Sequence, residues 1–511
     1  MTNPDTGRGR RRIGWLIAVV IVSALAMFGV ASLLTSIVER KQEARNPYVR
    51  LVEVNEETTD PAAWGVNWRR EYSDYLRTAE SSKTRFGGSE SLPSEKADAF
   101  PWLTRVFAGY AFALDYRDRR GHAHMLQDQE QTKRVTERPQ PGSCLQCHAS
   151  VIPTYRRLGG GDVFKGFEAL GRLSYRDANA EVVKTGSSNP VAGSTAASFK
   201  HVPGAHPVSC VDCHDPATME LRVTRPGFIR GIQALASGSA SVPHLETIER
   251  WRRGSRTTPY DPNVDASRQE MRSFVCGQCH VEYYCGPKTT LFYPWNNGLK
   301  VDQIESYYDA YKFPDGHDFY DWTHGETGAN VLKAQHPEFE TWSQGSHARA
   351  GVTCSDCHMP SISPSFTDHW VRSPLLNLQA ACVACHKKHD DKVTADDLQS
   401  RVYQIQDRHW ALREKAMAAV VSLIDDLKAA KAAGRKDADL LAARYLQRRS
   451  QFYLDFVEAE NSTGFHAPQE SARVLGESID FARQGQIALR DPTFKPTVPV
   501  IDIPPAPPAK P

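Results

Sequence analysis

The sequence predicts a mainly α chain with an apolar N-terminal helix, a long middle region of irregular wrapping loops, and long C-terminal helices. Three observations predict it. The motif C-x-x-C-H occurs five times between residues 144 and 386, in links dense in Gly, Pro and His. An uncharged run opens at Ile13, and after Lys388 the composition turns to Ala, Leu, Arg, Asp and Glu at helical spacing.

Arg8, Arg10, Arg11 and Arg12 precede the uncharged run from Ile13 to about Leu34. At 1.5 Å per residue such a run reaches about 33 Å, enough to span a bilayer. A secretory signal is the rival, but its apolar region is usually about 7–15 residues with a small-residue cleavage site following, and Ala24-Leu-Ala26 lies mid-run. The expectation is an uncleaved single-pass anchor in the cytoplasmic membrane, with the arginines inside and the remainder on the periplasmic side. Further on, Trp64, Trp68, Tyr72 and Tyr75 fall at spacings of four, four and three, as on one packing face of a helix.

The five motifs are Cys144-Leu-Gln-Cys147-His148, Cys210-Val-Asp-Cys213-His214, Cys276-Gly-Gln-Cys279-His280, Cys354-Ser-Asp-Cys357-His358 and Cys382-Val-Ala-Cys385-His386. Two thiols at this spacing add to the vinyl groups of a haem while the adjacent imidazole reaches the iron. Zinc sites or disulfides would not place ten of the eleven cysteines in this one pattern. The chain therefore reads as a pentahaem cytochrome c with haem-wrapping loops. Haem attachment needs reduced thiols delivered outside the cytoplasm, which agrees with the orientation of the anchor. The remaining Cys285 reads as a buried free thiol. A length of 511 residues allows several cores, yet five macrocycles would themselves fill one interior. The net charge of +2 makes no case for nucleic acid.

Beyond residue 390, Leu398, Val402, Ile405, His409, Leu412, Ala416, Ala419, Leu423 and Leu427 recur every three or four positions, a long amphipathic helix. Thr394 with Asp397 forms its capping box and Gly434 its stop. A second helix from about Asp437 to Glu460 and a third from about Pro468 to Leu489 follow. The expected organisation is a basic N-terminus (1–12), a transmembrane anchor (13–35), a pentahaem catalytic region (36–390), a helical segment (391–490) and a Pro-rich tail (491–511). Links such as 177–209 read as irregular loops wrapped around cofactors.

Five haems could make an electron wire with two histidines on every iron, or an enzyme with one open iron. Of 18 histidines, five sit in the motifs, so 13 remain and the count permits either. Context separates the two. Lys333-Ala-Gln335-His336-Pro-Glu338, together with Cys276-Gly-Gln-Cys-His-Val-Glu282-Tyr283-Tyr284, resembles the ammonia-forming cytochrome c nitrite reductases. Arg120-Gly-His122, Trp342-Ser-Gln-Gly-Ser-His347, Thr367-Asp-His369 and His466-Ala-Pro468 match in the same order.

The resemblance implies that His122 is the second axial ligand of the third haem, His369 of the second, His347 of the fifth and His466 of the fourth. No partner is left for the first haem, held by Cys144, Cys147 and His148, whose far face would be the catalytic site. Arg134, Tyr283 and His336 would stand above it. Calcium would be bound by the side chains of Glu282 and Gln335 and the backbone carbonyls of Tyr283 and Lys333. The implied reaction is six-electron reduction of nitrite to ammonium; the alternatives are a pentahaem electron-transfer protein linking membrane quinol to another reductase, or an enzyme acting on hydroxylamine or sulfite. Implied partners are a membrane quinol-oxidising electron donor and a second copy, a homodimer through the C-terminal helices.

These residue types suit that chemistry. Nitrite must lose both oxygens as water, so its pocket needs fixed positive charge and proton donors aimed at them. Arg134 supplies permanent charge, His336 a group that titrates near neutral pH, and Tyr283 a phenolic proton. Calcium takes six to eight oxygens, which a carboxylate, an amide, two carbonyls and water provide. Two features depart from the family. Most members attach the first haem through C-x-x-C-K, where this chain has His148, and many lack an anchor. Tyr284 reads as core, and His124, His201, His206, His244, His317, His324, His389 and His409 as surface or packing residues.

Overall fold

A computed structural model describes residues 6–45, 50–185, 205–363, 366–491 and 493–496. The chain is mainly helical, and its few strands pair into four two-stranded antiparallel hairpins. His201 and most of the Pro-rich tail lie outside the described residues.

The N-terminal helix spans Thr6–Arg45, and within it Trp15–Thr35 is long and apolar enough to cross a membrane. Its apolar side chains are exposed, with Trp15 and Phe28 both at 75%. Such a surface is stable only when lipid or another apolar phase covers it.

The aromatic face at Trp64 to Tyr75 is split between two helices, Pro61–Asn67 and Arg69–Arg77. Trp68 sits between them at φ −124° and ψ 71°, outside helical space, so the predicted single face is broken there. The side chains still serve packing. Trp64 is buried against Val54 and Val211, and its ring lies 5.6 Å from that of Trp68. The start of the 177–209 link is helical rather than irregular, because Tyr175–Thr185 is a helix whose Tyr175, Ala178 and Val182 are buried; residues 186–204 lie outside the described residues.

The C-terminal helices are Ala395–Ala432, Asp437–Ala459 and Pro468–Arg490, packed on one another. The first starts at the predicted capping box: Asp397 N–H donates to Thr394 Oγ1 at 3.1 Å and Thr394 N–H to Asp397 Oδ2 at 3.0 Å. Gly434, at φ +78°, turns the chain just past its end. Val402, Ala416, Ala419, Leu423 and Leu427 of the predicted stripe are buried. Ala416, Ala419, Leu423 and Leu427 join one apolar core with Phe107, Tyr308, Phe452 and Leu475. A second core, around Leu145, Phe228, Phe274, Trp295 and Phe339, carries the first and third haem motifs. The site lies where these two cores meet, since Tyr284 belongs to the first and Tyr283 packs on the second.

Candidate functional site

The first, second and fourth motifs form short helical turns at Leu145–His148, Cys210–Cys213 and Cys354–His358, and the third begins at the end of the helix Arg268–Gly277. The thiol of Cys147 meets that of Cys279, and Cys276 meets Cys354. These sulfurs are the ones that carry the haem vinyl groups, so the attachment points of the first, third and fourth motifs touch in series. Cys285 is half-buried beside the first motif, with its Sγ 3.7 Å from Cys144 Sγ and 3.3 Å from Ser143 Oγ.

Four imidazole pairs face one another across the chain. The ring centroids of His122 and His280 are 6.2 Å apart, His214 and His369 6.4 Å, His358 and His466 6.3 Å, and His347 and His386 6.4 Å. An iron between two imidazoles, with each nitrogen about 2 Å from the metal, spaces the rings by roughly 6 Å. The pairs therefore have the separation that a shared iron requires. Among the described residues no imidazole stands opposite His148 at this distance.

Hydrogen bonding also selects the nitrogen offered to a metal. His148 Nδ1 donates to the Met125 carbonyl at 3.0 Å, His214 Nδ1 to Met219 at 3.0 Å, His358 Nδ1 to Arg372 at 3.1 Å and His369 Nδ1 to Thr367 at 2.7 Å. A carbonyl can only accept, so each ring is held as the tautomer whose Nε2 lone pair is free. His466 Nδ1 lies 2.6 Å from Glu460 Oε1 instead. The donor set, its spacing and its tautomers all fit haem.

Around His148 the structure gathers the predicted polar residues. Arg134 and His336 are both close enough to influence protonation electrostatically with His148, and Tyr283 does so with Cys147 and Cys144. Arg134 is not on a solvated face. Its Nε donates to Thr132 Oγ1 at 3.2 Å, Thr132 Oγ1 donates to Asp115 Oδ1 at 2.5 Å, and its guanidinium lies 4.2 Å from the Phe112 ring centre. Burial pushes Tyr283 well above the usual phenol range, so it keeps its proton. Burial pushes His336 down to about 4, well below the near-neutral titration expected from residue type. A neutral His336 is the physical consequence of desolvating a cation.

Glu282 is fully buried and ties the two signature segments together. Its Oε2 accepts from the Gln335 N–H at 2.6 Å and its Oε1 from the Tyr308 hydroxyl at 2.9 Å. Burial raises its carboxyl well above the usual range. Among the described residues the carbonyl oxygens of Tyr283 and Lys333 accept no hydrogen bond. The Lys333 ammonium turns the other way, to Asp455 at 2.9 and 3.0 Å. No three His, Cys, Asp or Glu side chains converge as a metal cage among the described residues. One carboxylate with an amide and free carbonyls is a hard-oxygen set of another kind, and it suits calcium.

Of the other histidines, His124, His324 and His409 are buried. The ring of His244 lies 5.6 Å from that of Trp342, and His317 meets Asp315. Sequence reasoning missed Asp115, Tyr308 and Glu340. Glu340 accepts from the Glu282 N–H at 2.9 Å and from Trp295 Nε1 at 2.7 Å, and burial pushes it up to about 8. Only the repeated acids in Glu338-Phe-Glu340 hinted at it.

Five attachment motifs on this frame, four of them facing a second imidazole, define a multihaem c-type cytochrome. The cytochrome c552 family matches residues 60–511, and the chain belongs to that family. Its cofactors are covalently attached c-type haems, in agreement with the motifs. A cytochrome c-552 of Bacteroides fragilis is 31% identical over 93% of this chain and 85% of its own length. A cytochrome c nitrite reductase subunit NrfA of Nitratidesulfovibrio vulgaris is 30% identical over 95% of this chain and 86% of its own. In structure, the catalytic subunit of a cytochrome c nitrite reductase from Desulfovibrio desulfuricans, described with two calcium sites, superposes with a TM-score of 0.66. It is 26% identical, over 85% of this chain and 87% of that one.

Proposed function

We propose that this protein reduces nitrite to ammonium with six electrons at the haem held by Cys144, Cys147 and His148, fed by four bis-histidine haems. The observation that carries the proposal is the unequal treatment of the five motif histidines: four face a second imidazole at 6.2–6.4 Å, and among the described residues His148 has none at that distance. The overall change is nitrite plus eight protons and six electrons giving ammonium and two waters.

Bound haem would supply an iron that takes nitrite through nitrogen and a route for its electrons. The chain's own residues handle the oxygens and protons. Arg134, braced by Thr132 and Phe112, directs a fixed positive charge at the departing oxygens. An anion in the pocket stabilises the imidazolium form of His336, so substrate entry itself raises a pKa that burial holds near 4. His336 is then a proton donor when nitrite is present and neutral when it is absent. Tyr283 donates a hydrogen bond from a phenol that burial keeps protonated.

Calcium would bind the side chains of Glu282 and Gln335 and the carbonyls of Tyr283 and Lys333. It would neutralise the buried carboxylate and fix the backbones on which Tyr283 and His336 stand. The Trp15–Thr35 helix anchors the protein in the cytoplasmic membrane with the haem region on the periplasmic side, where a quinol-oxidising partner supplies electrons. Exposed Leu441, Tyr445 and Ile487 give the C-terminal helices an apolar surface for a second copy.

The test is a spectroscopic titration of the purified protein with nitrite, combined with ammonium detection. One high-spin haem that binds nitrite, four low-spin haems and ammonium as product are expected. Five low-spin haems indifferent to nitrite would replace this reading with an electron-transfer protein.

A further inference from the structure

The third residues of the first three motifs, Gln146, Asp212 and Gln278, are almost completely buried and meet in one polar cluster. Gln146 Nε2 donates to the Tyr293 hydroxyl at 3.1 Å, and that hydroxyl donates to the Gln278 carbonyl at 2.6 Å. Gln278 Nε2 in turn donates to the Asp212 carbonyl at 3.2 Å. At the centre is Arg225, whose side chain is wholly inaccessible to solvent, as is that of Asp212.

The bonds of Arg225 have a direction. Nε donates to the Gln146 carbonyl at 2.5 Å and Nη2 to the Ala149 carbonyl at 2.9 Å, so the guanidinium grips the segment carrying Cys147 and His148 from both sides. Nη1 donates to Asp212 Oδ1 at 2.7 Å, between the two cysteines of the second motif. The cation thus lies on the first attachment segment and the anion inside the second. Both side chains are closed off from solvent, and buried charges act over short distances with little attenuation.

We propose that the Arg225–Asp212 pair is an oriented buried dipole that raises the reduction potential of the first haem relative to the second, biasing electrons toward the open iron. A nearby positive charge favours the reduced, less positive form of a haem, and a negative charge favours the oxidised form; local charge and hydrogen bonding are established levers on haem potential. A simpler scaffold would need only hydrogen bonds. A fully buried ion pair is costly to desolvate and is weak evidence for stability, whereas charge separation between two redox centres has an electrical consequence that neutral groups lack.

The inference rests on the haem assignment above, and its test reads a different quantity. Arg225→Gln, Arg225→Lys and Asp212→Asn would be purified from the full chain with haem attached, and each haem followed by spectroelectrochemical redox titration. Arg225→Gln should lower the midpoint potential of the high-spin haem, Asp212→Asn should raise it, and Arg225→Lys, which keeps the charge, should stay near the unaltered protein. Opposite shifts in Arg225→Gln and Asp212→Asn are the signature, because simple loosening of the loops would move both the same way. Same-sign shifts, or none, would overturn the proposal. If Arg225→Gln fails to mature, a rise in Asp212→Asn with Arg225→Lys unmoved still supports it, and an unmoved Asp212→Asn overturns it. Five low-spin haems in the unaltered protein would defeat the open-site reading alone, since the opposite-signed shifts are then sought on the low-spin haems.

Discussion

The Gln335 backbone N–H donates to Glu282 Oε2 at 2.6 Å, joining two segments 53 residues apart. One segment follows the third haem motif and presents Tyr283; the other presents His336. Glu282→Ala should therefore release both from a common support. Five haems should be retained, because no attachment residue is touched, while calcium content and most ammonium formation are lost. Metal analysis beside a haem-counting absorbance assay measures this. Full activity after calcium is removed would take the metal out of the mechanism.

Arg134→Lys keeps a positive charge but loses the planar fork braced against Phe112 and Thr132. Loss of one preorganised electrostatic donor costs on the order of 10²–10³ in turnover, and a fall within or somewhat below that range is expected in steady-state ammonium formation. Haem count and the low-spin spectra should not change. An unaltered rate would remove Arg134 from the pocket.

Gly345 allows the chain ahead of His347 to pass the His466 carbonyl; an added Cβ would stand 2.1 Å from that oxygen. Gly345→Ala must therefore displace the backbone of His466, His347 or both. Electron paramagnetic resonance should show new high-spin signal from the fourth or fifth haem at unchanged haem content. His466→Ala should place the same change on the fourth haem alone.

His324 is buried with Nε2 donating to the Arg105 carbonyl at 2.9 Å and Nδ1 accepting from the Glu326 N–H at 3.3 Å. Burial lowers its pKa from the ordinary value of about 6.5. Between the lowered folded value and about 6.5, the unfolded chain binds a proton that the folded chain does not, so stability falls as pH drops through this window. His324→Gln should lower stability near neutral pH, because a backbone donor loses its partner, by about 1–3 kcal/mol. It should also flatten the acid-side slope. Denaturant unfolding at several pH values would show an unchanged slope if another group is responsible.

A chain beginning at residue 36 should remain in the aqueous phase with its haems, whereas the full chain partitions with detergent or membrane. Aqueous partitioning of a full chain with an intact N-terminus would argue against the anchor.

What the sequence determined by itself is the chemistry that is local along the chain. Cys-x-x-Cys-His capture depends on five consecutive residues, a helix long and apolar enough to cross a membrane on the uncharged run from Ile13, and the C-terminal helix on its period, its Thr394 cap and its Gly434 stop. The resemblance also indicated which distant histidines would pair, and the structure sets the rings of those pairs 6.2–6.4 Å apart. Tertiary structure alone decided the surroundings. It broke the Trp64–Tyr75 face at Trp68 and placed Asp115 and Thr132 behind Arg134. It buried His336 far enough to lower its pKa to about 4, and it converged Gln146, Asp212 and Gln278 on Arg225 from segments far apart in the chain. The physical reason is that burial, and the charge pairing that burial enforces, depend on which surfaces meet when the chain closes, and neither leaves a periodic trace along it.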